Sequence, residues 1–179
     1  MVNPYFMETH FLVSWNGLKA GHLWTLITSV FSHNLFFHLF INMYLFYGFG
    51  KVLEDVLGPE RFLNLYLISG ILGSVGHCFV SAVFLNRPDL QALGASGAIS
   101  GILVFFALLF PKEKVYLLGL IPLPAFWAIV MYVTLDFWGL LSQVHGNGMP
   151  IGYGAHLGGA LAGATFFFYY RTKLKFFSE

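Results

Sequence analysis

The sequence predicts an all-α bundle whose helices cross a membrane, and three observations carry that prediction. The chain of 179 residues is 58% hydrophobic and 19% aromatic but only 9% charged. A soluble globular domain is about 25% charged, so too little polar surface is present to coat one. Long apolar runs alternate with short turns of proline, glycine and charge, as in a polytopic helical protein. The runs are continuous, where barrel strands would alternate. A single cysteine, Cys78, excludes an internal disulfide. The net charge of +1 comes from basic residues spread singly, which gives nucleic acid no basic stripe to bind.

Five spans follow in order. The first runs from about Phe36 to Phe49 and meets charge at Lys51. The turn Gly58-Pro59-Glu60-Arg61 precedes the second, Phe62 to Leu85, which ends at the loop Asn86-Arg87-Pro88-Asp89. The third, Ala95 to Phe110, is closed by Pro111-Lys112-Glu113-Lys114. The fourth is expected from Val115 to Leu141, and the glycine-rich stretch Ser142 to Tyr153 separates it from the fifth, Ala155 to Tyr170.

Basic residues mark the cytoplasmic side of a membrane. Lys51, Arg61, Lys112, Lys114, Arg171, Lys173 and Lys175 fall on one side, Lys19 and Arg87 on the other. This expects a cytoplasmic C-terminus, suits a bacterial inner membrane, and puts the N-terminal segment outside. No upstream helix carries that segment across, so a helix missing from the front of the chain is expected. Residues 1–35 mix Phe6, Phe11, Trp15 and Trp24 with Glu8, His10 and Lys19, a composition suited to the headgroup layer. The expected division is an interfacial segment 1–35, a transmembrane core 36–172 and a cytoplasmic tail 173–179.

Strongly polar groups inside spans are costly and therefore candidate functional residues. Here they are His38 and Asn42 in the first span, Ser96 opening the third and His156 opening the fifth. A lone serine usually packs helices or bonds its own backbone, and a lone histidine or asparagine can simply bridge them. Depth separates the readings. Ser96 precedes Lys112, His156 precedes Arg171 and His38 precedes Glu54 by nearly equal stretches, each a rise of about 23 Å. Independent packing residues have no reason to share one level. Gly97 and Gly101 share a helical face, as do His156, Gly159 and Gly163, and such small residues let two helices approach closely.

Close approach would let the Ser96 hydroxyl act as a nucleophile, with His156 as general base and then as acid to a leaving amine. His38 and Asn42, on one face of the first span, would offer donors to an oxyanion, with the Ser96 backbone N–H. Asp136 is the only carboxylate embedded in the later spans. Placed on the outer half of its helix, it is left unassigned as a helix-bonding or interface residue.

These residues resemble the rhomboid family of intramembrane serine proteases over about residues 20–172. Gly94-Ala95-Ser96-Gly97 is similar to that family's GxSG, and His156 to Gly163 to its HxxGxxxG. His33 to Asn42 resembles its HxxxxHxxxN. The resemblance implies a Ser96–His156 dyad aided by His38 and Asn42, and cleavage of single-pass transmembrane proteins near the outer face. No cofactor or metal is implied. It also implies a structural His33 and a gate and cap built from Phe126, Trp127, Phe137, Trp138 and the loop 142–153; the plainer reading of those aromatics is lipid-facing surface.

Three departures stand out. The family core has six spans against five here. Trp24-Thr25 stands where members carry Trp-Arg, which removes a cation that orders the first loop. Ser100 stands where many members place an aromatic against the histidine; it is expected to hydrogen-bond His156 or to leave the ring less firmly held. The rival readings are a metalloprotease, which lacks an HExxH run, and a transporter, which lacks repeats and a midplane site. The alternative kept is a catalytically impaired rhomboid-like protein that binds transmembrane helices without cutting them.

Overall fold

A computed structural model describes residues 3–117 and 120–173. Most of the expected tail 173–179, including Lys175, lies outside the described residues. Eight helices and one hairpin are described: α1 (Pro4–Phe11), α2 (Trp15–Lys19), α3 (Thr25–Thr28), α4 (Phe36–Leu57), α5 (Pro59–Val83), α6 (Ser96–Leu109), β1 (Lys114–Leu117), β2 (Ile121–Pro124), α7 (Ala125–Val144) and α8 (Tyr153–Tyr170). A 3₁₀ turn, Ser29–Phe31, follows α3.

The five expected spans correspond to α4 to α8. Three of them, α4, α5 and α7, are long and apolar enough to cross a membrane, and α6 is a shorter apolar helix. That shortness has a physical cause. The chain enters α6 through the non-helical segment from Leu90 to Gly94, which lines a cavity and whose backbone bonds Val13, Ser29 and His77, a setting in which non-helical backbone is tolerated at membrane depth. Nearly all of α6 is buried, so it forms the bundle's axis. α8 packs chiefly on α5 and α6.

Two boundaries differ from expectation. α4 continues through Lys51, Glu54 and Asp55 to Leu57 before Gly58 ends it and Pro59 opens α5; good helix formers continue a helix beyond the apolar layer. The fourth span begins at Ala125 instead of Val115. Lys114–Leu117 instead pairs antiparallel with Ile121–Pro124, Val115 opposite Leu123 and Tyr116 opposite Pro122. Pro122 and Pro124 cannot donate to a helical ladder, which rules out the helix read through them.

Charge segregates to the two ends. Arg61 lies 5.6 Å from the Tyr170 ring centroid, which ties the start of α5 to the end of α8. At the opposite end the Asn16 N–H donates to the Pro88 carbonyl, bringing α2 to the loop that carries Arg87. The N-terminal segment is docked there. Val13 forms an isolated bridge with Ala92, and the Trp24 indole donates to the Thr9 carbonyl. Thr25, where a cation was missed, is 1% exposed and donates to the His22 carbonyl, so local hydrogen bonds supply the order. Buried apolar contact gains little inside a bilayer, where lipid is equally apolar. Dense packing around Leu53, Leu65, Ile99, Ile102 and Phe105 therefore holds the bundle by dispersion and shape.

Candidate active site

The site forms where the first turns of α6 and α8 meet. Gly94 takes φ of +114°, turning the chain so that Ala95 caps α6 and Ser96 opens it. A β-carbon at Gly94 would also fall 2.9 Å from Nε2 of His38 and closer still to its Cε1. Backbone strain and ring collision act at one position. Gly94→Ala is therefore expected to displace His38 and to cost about 1–3 kcal/mol of stability by overpacking. Thermal denaturation in detergent checks this.

Across from it, the His156 N–H bonds the Gly152 carbonyl in the first turn of α8. Its imidazole Nε2 lies 3.0 Å from Ser96 Oγ. The other ring nitrogen, Nδ1, lies 3.1 Å from Asp136 Oδ1 on α7. With Nδ1–H donating to the carboxylate, Nε2 is left to accept the serine proton. The two side chains are 15% and 8% exposed, so the row is sheltered from solvent.

Ser100 does not bond His156. Its hydroxyl donates to the Ser96 carbonyl at 2.8 Å and lies 2.7 Å from the Tyr132 hydroxyl. The Tyr132 ring centroid is 6.0 Å from that of His156, tilted by 30°. The aromatic expected one turn after Ser96 thus arrives from α7 instead, anchored by Ser100.

A cavity of about 620 Å³ is lined by Ser96, His156, His38 and Gly94 and also by Gln143 and Ile151. Gln143 Nε2 donates to the Met149 and Ile151 carbonyls and so folds the loop after α7 over this space. Phe137 and Trp138, by contrast, are exposed on the outer surface of α7. Asn42 is not on the cavity wall. It is buried at 3% exposure, and its amide nitrogen lies 2.8 Å from His33 Nε2. His77 holds the Leu90 carbonyl at 3.0 Å, which fixes the segment leading to Gly94.

The Asn42 bond requires a neutral, accepting His33. Burial and the neighbouring His38 hold the His33 imidazole below its ordinary 6.5. The unfolded chain then binds more protons than the fold as pH drops through 6.5, so stability is full above that value and is lost as pH falls through the lower folded value. Thermal midpoints in detergent from about pH 7.5 to about pH 5.5 are expected to fall, and to fall less steeply in His33→Gln.

Sequence reasoning left Asp136 unassigned, as a helix-bonding or interface residue on the outer half of its helix, and did not single out Tyr132, one turn earlier on the same face of α7. The embedded carboxylate was the available signal.

A multi-pass helical bundle with a sheltered serine–imidazole–carboxylate row defines a class: membrane proteins with the side-chain geometry of a serine hydrolase. The rhomboid domain family model matches residues 20–173. The chain is 36% identical over 174 residues to RHOMBOID-like protein 12, mitochondrial, of Arabidopsis thaliana, covering 90% of this chain and 51% of that one. To Rhomboid protein 1, mitochondrial, of Saccharomyces cerevisiae it is 35% identical over 145 residues, covering 81% and 41%. A rhomboid protein of Bacillus subtilis is 34% identical over 122 residues, covering 62% and 58%. The chain therefore belongs to the rhomboid family. It spans roughly half the length of these relatives, from 41% to 58%.

Proposed function

We propose that this chain is an intramembrane serine endopeptidase that cleaves single-pass transmembrane proteins near the outer membrane face. The observation that carries the reading is the 3.0 Å contact between Ser96 Oγ and His156 Nε2, inside a membrane bundle of a family of serine proteases. His156 takes the Ser96 proton as Oγ attacks the scissile carbonyl carbon. The C–O bond forms as the carbonyl π pair moves to oxygen. His156 then protonates the leaving amine, and the C–N bond breaks to leave an acyl-serine. Water, deprotonated by the same imidazole, hydrolyses that ester and restores Ser96. His38, on the cavity wall, and the Ser96 backbone N–H are the proposed oxyanion donors. Asn42 is proposed to assist with the amide hydrogen that does not go to His33.

Residues 1–35 are proposed to lie in the outer interface, 36–172 to form the core and 173–179 to be cytoplasmic. Several relatives bear mitochondrial names, so a bacterial inner membrane gains no support from them. A multi-pass membrane protein is what stands. A fluorophosphonate probe tests the chemistry. Labelling of the wild type that vanishes in Ser96→Ala and weakens in His156→Ala is expected. Equal labelling of all three would reject the mechanism, and absent labelling would favour a helix-binding protein that does not cut.

A further inference from the structure

Resting on the peptidase reading, we propose that Asp136 is a positioning residue that turns the Ser96–His156 pair into a three-member row. Three observations support it. The carboxylate oxygen Oδ1 lies 3.1 Å from His156 Nδ1, on the side opposite Ser96, so it fixes the tautomer with Nε2 open to the serine. Asp136 is only 6% exposed, and its second oxygen, Oδ2, has no hydrogen-bond partner among the described residues. A half-satisfied buried carboxylate is a poor way to stabilise a bundle; an uncharged group of the same shape would cost less. Its placement favours the reaction over the fold. Finally, Tyr132, one turn earlier on α7, lies beside the same imidazole and is pinned by Ser100, so α7 holds the ring from two sides.

The role has a direction in pH. The groups facing His156 are Asp136 and Tyr132 from α7, Ser96 from α6 and, through space, His38 from α4. α5 brings His77 to the same cavity. Asp136 is the only anion among them. Its charge favours the imidazolium that forms during attack.

Asp136→Asn keeps the shape and removes the charge. In reconstituted full-length protein, kcat is expected to fall by about 10²–10⁴-fold with KM little changed. The acid limb of the pH–rate profile should move to lower pH, the thermal midpoint should stay or rise, and Asp136→Glu should recover part of the rate. A wild-type rate and profile in Asp136→Asn would overturn the proposal. So would a fall in kcat and thermal midpoint together with an unmoved profile, which is the mark of a purely structural role. Ser96→Ala is run alongside. Wild-type cleavage no greater than that background would remove the peptidase reading and this one with it. Serine-dependent cleavage indifferent to Asp136→Asn would remove this one alone.

Discussion

Replacing Ser96 with alanine is expected to lower cleavage of a reconstituted transmembrane substrate by at least about 10⁴-fold, with the thermal midpoint unchanged. The two halves of that expectation have separate causes. The Ser96 side chain makes one hydrogen bond, to His156 Nε2, while its backbone carbonyl accepts from Ser100 and stays in place in the variant. Little of the fold depends on the hydroxyl. In the proposed mechanism the chemistry depends on it wholly, because Oγ would be the atom that bonds to the substrate carbon. His156→Ala should cost nearly as much, and the double variant should be no worse than either single one, since nucleophile and base act as a unit. Costs that instead multiplied would mean that the two residues work independently. Cleavage assays in liposomes, with denaturation followed in detergent, measure both halves.

The parts of this site that could be read beforehand were those whose depth is fixed by flanking charge. Ser96, His156 and His38 sit on spans that run toward Lys112, Arg171 and Glu54, so counting residues places them on one level. In the structure all three line one cavity. The glycines flanking Ser96 and His156 were legible as a close helix contact because small residues have few other uses in a bilayer. Orientation within a level was not legible. His38 and Asn42 share a face by spacing, yet His38 lies on the cavity wall and Asn42 bonds His33, a difference set by the loop before α4. Periodicity also cannot tell an apolar strand from an apolar helix. The hairpin at 114–124 was read as helix, and which face of the following helix turns toward His156 was not legible from spacing. Ser100 marked a real gap on α6, but the aromatic that fills it comes from a helix 32 positions along the chain, a pairing no local pattern contains.

Gly159→Ala should be the most damaging single methyl in the bundle. A β-carbon there would overlap the Gly97 carbonyl oxygen and lie 3.2 Å from the Gly97 Cα. Both obstacles are backbone, and no rotamer change relieves them. The helices must therefore part, and Gly163 against Gly101 one turn lower meets the same obstacle to any compensating slide. Overpacking of this kind costs about 1–3 kcal/mol or more, a large fraction of the stability a helical domain has to lose. The catalytic consequence is larger than the thermodynamic one. Gly97 follows Ser96 directly, and Gly159 lies one turn after His156, so separating the helices at this point lengthens the Oγ–Nε2 distance itself. An opening of about 1 Å is expected to cost about 10²-fold in kcat even in the fraction that remains folded. Rates normalised to folded protein separate the two effects. A Gly159→Ala enzyme that melts early but turns over normally would mean that the α6–α8 contact holds the fold without setting the serine–histidine distance.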